Sequence, residues 1–305
     1  MGALSALAMS AFAANSLLCR AALGGGRIDA ASFTTLRLVS GALALAVLAR
    51  GARGHGHVHG TWASAAALFG YALAFSLAYL RIPAAVGALL LFGAVQATMV
   101  GWALLSGERP RPLEWLGLVT AFAGLVALTR PGLLAPDPLG CALMIAAGAC
   151  WGVYSLRGRS AGDPLLANAS HFARTVPLAL LASLVAWIFV EPRLSYHGAL
   201  LAVASGALAS GLGYAVWFAA LRGLTATQAA IVQLAAPPLA AVGAVAFLGE
   251  RLTLRLAVAG VAILGGVGLA VSSRREGSPL AGLSATDPGG TASSGPPPSR
   301  TRRHR

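Results

Sequence analysis

The chain has 305 residues, of which 57% are hydrophobic and only 10% are charged, and its mean hydropathy is +0.75. A soluble domain has about a quarter charged residues and could not hide so much apolar surface, so the composition excludes that class and favours a membrane protein. The formal net charge is +13, and all 22 basic residues are arginines. These arginines stand singly between apolar blocks, which is typical of loops and headgroup anchors and argues against nucleic-acid binding.

Ten apolar blocks follow one another along the chain, each close to the roughly 20 residues that a helix needs to cross a bilayer. Glycine, proline, arginine and aspartate separate the blocks, and no alternation typical of a strand is sustained. The sequence therefore predicts an all-α integral membrane protein with ten transmembrane helices. We place them at about 2–22, 31–50, 61–80, 84–106, 112–130, 138–157, 165–190, 196–221, 225–248 and 253–272.

The segment after the last block, residues 273–305, is rich in serine, glycine, proline and arginine. It has too little apolar surface to bury, so we expect a disordered C-terminal tail. Arginines are evenly divided between the two sets of loops, and the pair Arg274-Arg275 favours a cytoplasmic C-terminus. With ten helices the N-terminus then lies on the same side, and we expect a multi-pass protein of the bacterial cytoplasmic membrane.

Cysteine and histidine do not form a metal-binding pattern. The cysteines lie in apolar blocks without a CxxC spacing, and three alternating histidines lie in a glycine-rich loop with no cysteine or carboxylate beside them. We therefore expect no disulfide, no metal site and no cofactor. These residues are Cys19, Cys141, Cys150, His55, His57 and His59.

The two halves of the chain resemble each other. The triplet Gly107-Glu108-Arg109 recurs as Gly249-Glu250-Arg251, each time at the end of a long apolar block. We therefore predict two five-helix repeats, residues 1–130 and 131–272. Because five is an odd number, the second repeat enters the membrane from the opposite side. Inverted repeats of this kind allow alternating access to a site between them.

Several of these features resemble the EamA-type transporters, ten-helix members of the drug/metabolite transporter superfamily. The resemblance covers residues 1–272 and depends on the duplicated halves, the Gly-Glu-Arg triplets, Ala149-Cys150-Trp151-Gly152 and Ala235-Ala236-Pro237-Pro238. The first half departs from the pattern, with Ala14-Asn15 and Val95 at the positions of Trp151-Gly152 and Pro237. The resemblance implies a secondary transporter, and many members export amino acids or other small metabolites.

Two other classes of function stay open at this point. An intramembrane enzyme would need a nucleophile with its base, or a pair of acidic residues, and no HExxH, GxSxG or aspartate pair lies within a block. A structural or sensory membrane protein would explain the tail but not the duplication. No Walker A motif is present, so ATP is not the direct driver, and the coupling ion, with a proton as one candidate, is left open. The expected partners are a small-molecule substrate and membrane lipid.

Polar and aromatic side chains inside the alanine- and leucine-rich blocks are the candidate substrate-binding residues. An unpaired amide in hydrocarbon costs several kcal/mol, so the amides should face the protein interior. Taken one by one, these residues are more typical of contacts between helices. Taken together, they predict one central cavity lined by spans 1, 3, 4, 6, 8 and 9. They are Asn15, Tyr71, Gln96, Trp151, Tyr154, Tyr214, Trp217 and Gln233.

A second set has a gating or structural role. Arg37 and Arg174 lie within two turns of a predicted helix end, which favours side chains that reach the headgroups over substrate contacts. Glu108 and Glu250 sit between consecutive helices beside an arginine, which favours a structural role near a helix N-terminus. Pro237 and Pro238 interrupt the ninth block and mark either a packing kink or a transport site.

Overall fold

The computed structural model describes residues 2–51, 60–105, 112–129, 136–158, 163–221, 232–233 and 235–272. The described part is built of helices. They are α1 (Gly2–Leu23), α2 (Ala30–Gly51), α3 (Trp62–Tyr79), α4 (Ala84–Leu105), α5 (Pro112–Thr129), α6 (Pro138–Gly158), α7 (Pro164–Phe189), α8 (Tyr196–Ala204), a π-helical segment (Ser205–Leu212), α9 (Gly213–Leu221), α10 (Ala236–Leu248) and α11 (Leu254–Ser272).

These helices make the protein an all-α, multi-pass membrane protein. Within the described ranges, six helical stretches are long and apolar enough to cross a bilayer, and four shorter apolar helices accompany them. Many large apolar side chains on their outer faces are exposed, with Leu43 at 64%, Phe189 at 81% and Phe247 at 81% of their surface. Such faces are favourable only against lipid, because hydrocarbon does not penalise exposed apolar surface.

Polar side chains define several helix starts. The Thr61 hydroxyl accepts the Ser64 N–H at the start of α3, the Asp163 carboxylate accepts two N–H groups at the start of α7, and Ser195 caps α8. Gly249 ends α10 with a φ of 65°, a left-handed conformation that glycine adopts without strain. The helix ends therefore lie at the residues that the sequence marks as breaks.

The ninth span differs from the prediction of one helix over 225–248. Residues 225–231 lie outside the described ranges, and α10 begins only at Ala236, with Pro237 and Pro238 at its first positions. Proline fits there because the first N–H groups of a helix have no partner within the helix. Within the described residues, the prolines therefore stand in the first turn of α10.

The contacts between helices form a recurring pattern. Helix α3 packs on α6, and correspondingly the eighth span, from α8 to α9, packs on α1. Helix α4 packs on α6 as α10 packs on α1, while α2 meets α7 and α5 meets α11. If spans 1 to 5 are exchanged with spans 6 to 10 in order, each of these contacts becomes another contact of the same set or stays the same. Two five-helix repeats would give such a pattern; the repeats, their boundary at residue 130 and their inverted relation stay predictions.

Candidate functional site

A group of buried polar side chains lies where spans 1, 2, 3 and 8 meet, and we call Asn15, Arg37, Tyr71, Ser205, Ser210 and Tyr214 the central cluster. The Asn15 amide donates to the Tyr71 hydroxyl over 3.2 Å and accepts from the Ser205 hydroxyl over 2.6 Å. The Tyr71 and Tyr214 hydroxyl oxygens are 3.4 Å apart. Hydrogen bonds of this kind satisfy groups that would be costly to bury alone. They join distant parts of the chain, since Asn15 and Tyr71 lie in the predicted first repeat and Ser205 and Tyr214 in the predicted second repeat.

Arg37 lies inside this cluster, and the prediction that it reaches the headgroups is wrong. Its side chain is 1% exposed. Its Nη2 donates to the Tyr71 hydroxyl over 3.0 Å and to the Tyr214 hydroxyl over 3.4 Å, and Nε donates to Ser210 over 3.1 Å. The guanidinium carbon is also 5.1 Å from the Tyr71 ring centroid and 5.0 Å from that of Phe75. Position along the sequence suggested a helix end, whereas the side chain is buried among residues of the third and eighth spans.

The π-helical segment places the two serines of the cluster. Its backbone bonds span five residues, as in the bond from the Gly213 N–H to the Leu208 carbonyl. In an α-helix, residues five apart point about 140° away from each other, because each residue turns the chain by about 100°. The wider π-helical turn brings Ser205 and Ser210 to one face. Single π turns inside α-helices are frequent at functional sites.

The backbones of α2 and the π-helical segment lie in close contact. An added Cβ at Gly206 would overlap the Arg37 carbonyl oxygen and the Ser40 hydroxyl, and one at Gly211 would press on Ala44 and the Gly41 carbonyl. Small residues at such positions let membrane helices pack backbone to backbone. The sequence Ser205-Gly206, repeated as Ser210-Gly211, was the signal that could have identified this contact.

Aromatic rings form the wall beside the cluster. Ring centroids of Trp151 and Tyr71 are 5.0 Å apart, those of Trp151 and Tyr214 are 4.7 Å apart, and those of Trp151 and Tyr154 are 5.7 Å apart. Phe12 packs by its edge on Trp151, Tyr214 and Trp217 at 5.8 to 5.9 Å. These distances are typical of stabilising aromatic pairs. The wall connects the first, third, sixth and eighth spans.

A small cavity of about 10 Å³ lies between the wall and the cluster. Its volume suffices for about one water molecule and is far below that of an organic substrate. The structure is therefore a closed form at this place. The lining residues are Phe12, Asn15, Ser16, Tyr71, Phe75, Leu91, Phe92, Trp151 and Tyr214.

A second polar group continues from the wall toward α7. The Tyr154 hydroxyl hydrogen-bonds the Asn168 side-chain oxygen and lies 3.4 Å from His171 Nδ1, and all three residues are buried. The Asn168 side-chain nitrogen has no hydrogen-bond partner within the described ranges. The sequence indicated Tyr154 but not Asn168.

The eight predicted substrate-binding residues are all buried, and six of them are joined by the contacts described above. Gln96 and Gln233 are 4% and 2% exposed, and the side-chain oxygen of Gln233 has no partner among the described residues. Four of the eight predicted residues line the cavity: Asn15, Tyr71, Trp151 and Tyr214. The prediction of one site over six spans is thus narrowed to a core around spans 1, 3, 6 and 8, with α4 contributing apolar side chains.

The gating and structural residues lie elsewhere. Arg174 is half-buried, bonds Ser170 on its own helix and lies 5.9 Å from the Trp62 ring centroid. It is the eleventh of the 26 residues of α7, so the position near a helix end that the sequence suggested is wrong. Glu108 and the three loop histidines lie outside the described residues. Across the ranges that are described, no group of three or more histidine, cysteine, aspartate or glutamate residues could hold a metal ion.

Glu250 closes one end of the helix bundle. Its carboxylate accepts the Ala84 and Ala85 N–H groups at the start of α4, over 2.7 and 3.2 Å, and lies 3.7 Å from Arg20 Nε. Arg20 in turn donates to the Tyr79 carbonyl over 2.8 Å. The structural role that the sequence favours for Glu250 is therefore supported. However, Glu250 pairs with Arg20 and caps α4, whereas the sequence suggested a pair with the neighbouring arginine and a position at the start of the following helix.

Comparison with known proteins agrees with this architecture. The sequence model of the EamA-like transporter family matches residues 138–272. A Pseudomonas aeruginosa protein described as uncharacterized is 52% identical over 272 residues, which cover 89% of this chain and 94% of that protein. A crystal structure of a protein that is 25% identical superposes with a TM-score of 0.64 and covers 88% of this chain and 98% of its own.

One relative has a stated activity. The threonine/homoserine exporter RhtA of Escherichia coli is 33% identical over 186 residues. The match covers 57% of this chain and 59% of that exporter, so a little over half of each protein is aligned. Together with the helices and their paired contacts, these similarities show that the chain belongs to the EamA-like transporter family of the drug/metabolite transporter superfamily, and is a membrane transporter of small molecules.

Proposed function

We propose that the protein exports small organic metabolites, amino acids or related compounds, across the bacterial cytoplasmic membrane by alternating access. The observation that carries this proposal is the buried central cluster with its small cavity, built from both repeats where they meet. A membrane protein gains little by burying so many polar groups at depth unless they serve a pathway. The stated activity of the Escherichia coli relative supports the substrate class.

The chemistry of the cluster suits a polar molecule with a compact apolar part. Amide and hydroxyl groups of Asn15, Ser205 and Tyr71 can exchange their present bonds for bonds to a ligand, and Trp151 offers a ring face beside them. Because the cavity has room for only about one water molecule, a substrate would enter only when the helices around it separate. Alternating opening at the two membrane faces would give such entry and release.

We propose that both termini lie in the cytoplasm, since the pair Arg274-Arg275 follows the last helix. A phosphatase fused after Ser273 should then be inactive, whereas a fluorescent protein at the same position should fluoresce. Strong phosphatase activity on the outer side would contradict the proposed orientation.

Counterflow in proteoliposomes tests the function. Vesicles that contain the purified protein are loaded with unlabelled L-threonine, L-homoserine or other amino acids, and uptake of the labelled compound is measured against protein-free vesicles. We expect accumulation for at least one amino acid. If no amino acid or related metabolite exchanges, the proposal of an amino-acid exporter is wrong.

The variant Asn15→Leu, measured in the same counterflow assay, tests whether the substrate site lies at the central cluster. It removes two buried hydrogen bonds, to Tyr71 and Ser205, and should weaken apparent substrate affinity by about 5- to 100-fold, which corresponds to about 1–3 kcal/mol. Ser10→Ala is the control on the same helix, because the Ser10 hydroxyl is exposed and bonds only the Ala6 carbonyl of its own turn. Melting temperatures of both variants separate lost binding from lost folding.

A further inference from the structure

The charge of Arg37 has no carboxylate opposite it in the described part of the protein. Every acidic residue there lies in a loop or in the first turn of a helix: Asp29, Glu114, Asp137, Asp163, Glu191 and Glu250. Arg37, by contrast, is the eighth residue of α2, roughly 10 Å from the start of that helix at 1.5 Å per residue. A buried guanidinium at such depth is normally paired with an anion.

The partners that Arg37 has are neutral. Nε and Nη2 donate to the hydroxyl oxygens of Ser210, Tyr71 and Tyr214, and two aromatic rings lie against the guanidinium plane. Nη1 is buried and has no hydrogen-bond partner within the described ranges. A guanidinium has five N–H donors in a planar fork, so the two on Nη1 remain unsatisfied. Unsatisfied buried donors are costly, and one beside a cavity indicates a ligand.

The unsatisfied fork lies directly behind the cavity wall. Tyr71, Phe75 and Tyr214 contact the guanidinium and also line the cavity. Asn15 reaches the same Tyr71 hydroxyl from the other side. An anion that entered an enlarged cavity would therefore meet Arg37 once the two tyrosine hydroxyls turned aside.

We propose that Arg37 binds the carboxylate of the transported molecule, and that the Tyr71 and Tyr214 hydroxyls occupy the acceptor positions in the closed form. This inference rests on the proposed function and narrows its substrates to small organic carboxylates, including amino acids in their zwitterionic form. The planar fork of arginine matches the two oxygens of a carboxylate. For an amino acid, the side-chain oxygen of Asn15 and the face of Trp151 are at hand for the ammonium group.

A competition assay with the wild-type protein tests the inference without any variant. Unlabelled L-threonine and L-threonine amide, which lacks the carboxylate, compete with a labelled amino acid that the protein exchanges. We expect the amide to compete at least about tenfold more weakly, the effect of losing a charge-assisted bond. Equal competition by both compounds would overturn the role of Arg37 while leaving the proposed function intact.

Variants locate the effect. Arg37→Gln should lose carboxylate-dependent exchange, Arg37→Lys should retain part of it, and Arg81→Gln should behave as wild type because Arg81 is an exposed loop residue. Arg37→Gln that folds and still prefers threonine over its amide would contradict the inference. Because this variant can fail to fold, the wild-type competition remains the deciding result.

Binding separates this inference from the proposed function. The melting temperature of purified wild-type protein is measured with acetate, L-threonine and L-threonine amide at matched concentrations. Stabilisation by the carboxylates alone, in a protein that exchanges nothing, would support Arg37 as an anion site and refute the exporter. No stabilisation by any carboxylate, together with no exchange, would refute both.

Discussion

Glu250 shows how a single carboxylate can hold two distant parts of the chain together. It follows α10 but accepts the first two N–H groups of α4, about 165 residues earlier in the chain. These groups have no partner within their own helix, and the positive end of the helix dipole favours a negative charge there. Arg20, at 3.7 Å, adds a partly exposed ion pair, which contributes little by itself.

Replacing Glu250 should therefore destabilise the folded protein. We expect Glu250→Ala to lower the free energy of unfolding by about 1–2 kcal/mol, the usual effect of a lost N-cap, with Glu250→Gln in between. Denaturation by SDS, followed by circular dichroism, measures this. Glu191→Ala is the control, because Glu191 is exposed in the loop before α8. Equal stability of Glu250→Ala and wild type would show that the cap is not significant.

Residue identity was easier to predict than residue environment. Amides and aromatics in apolar blocks had to face inward, and Asn15, Tyr71, Trp151 and Tyr214 do meet at the cavity. Arg37 was misplaced, because its distance from the helix end along the sequence does not reveal which neighbours surround it. Tyr71 and Tyr214, which hold its guanidinium, are 34 and 177 residues away in the chain.

At the scale of elements, the described helical residues agree with the predicted bounds to within one or two residues for nine of the ten spans. Where a helix ends inside a described range, as at Leu23, Tyr79 and Phe189, glycine, proline or charged residues follow it. The ninth span is the exception, since α10 covers only residues 236–248 of it and most of its earlier part lies outside the described ranges. The π-helical segment could not be foreseen. Its residues have no propensity that distinguishes them from an α-helix, and Gly206 and Gly211 lie close to residues of α2 that are far away in the sequence.

The contact between α2 and the π-helical segment should be sensitive to one methyl group. Gly206→Ala places a Cβ against the Arg37 carbonyl and the Ser40 hydroxyl, so we expect destabilisation by about 1–3 kcal/mol, as in other overpacked interiors. Gly101→Ala is the control, because nothing lies within 4 Å of its Cβ position. The control should be neutral or slightly stabilising, since alanine favours a helix over glycine. Equal melting temperatures of the two variants would contradict the close packing.

For the whole molecule, several bonds join the predicted repeats at the end of the helix bundle where α1 ends. Besides the contact between Glu250 and Arg20, the Arg193 N–H donates to the Asp29 carboxylate over 3.0 Å, and the Ser195 N–H donates to the Arg27 carbonyl over 2.9 Å. If the protein works by alternating access, these bonds must break when this face opens. A cross-link between positions 20 and 250 is the most direct way to prevent that opening.

The measurement that tests the account most directly is counterflow by a protein whose repeats are cross-linked at this face. Cys19, Cys141 and Cys150 are first replaced by alanine, and exchange by this background is verified. Arg20→Cys and Glu250→Cys are then introduced together and joined by a cleavable bifunctional thiol reagent, with each single cysteine variant as the control. We predict that the joined protein exchanges no substrate and that cleavage of the linker restores exchange. Full exchange by a completely cross-linked protein would contradict alternating access around the central cluster.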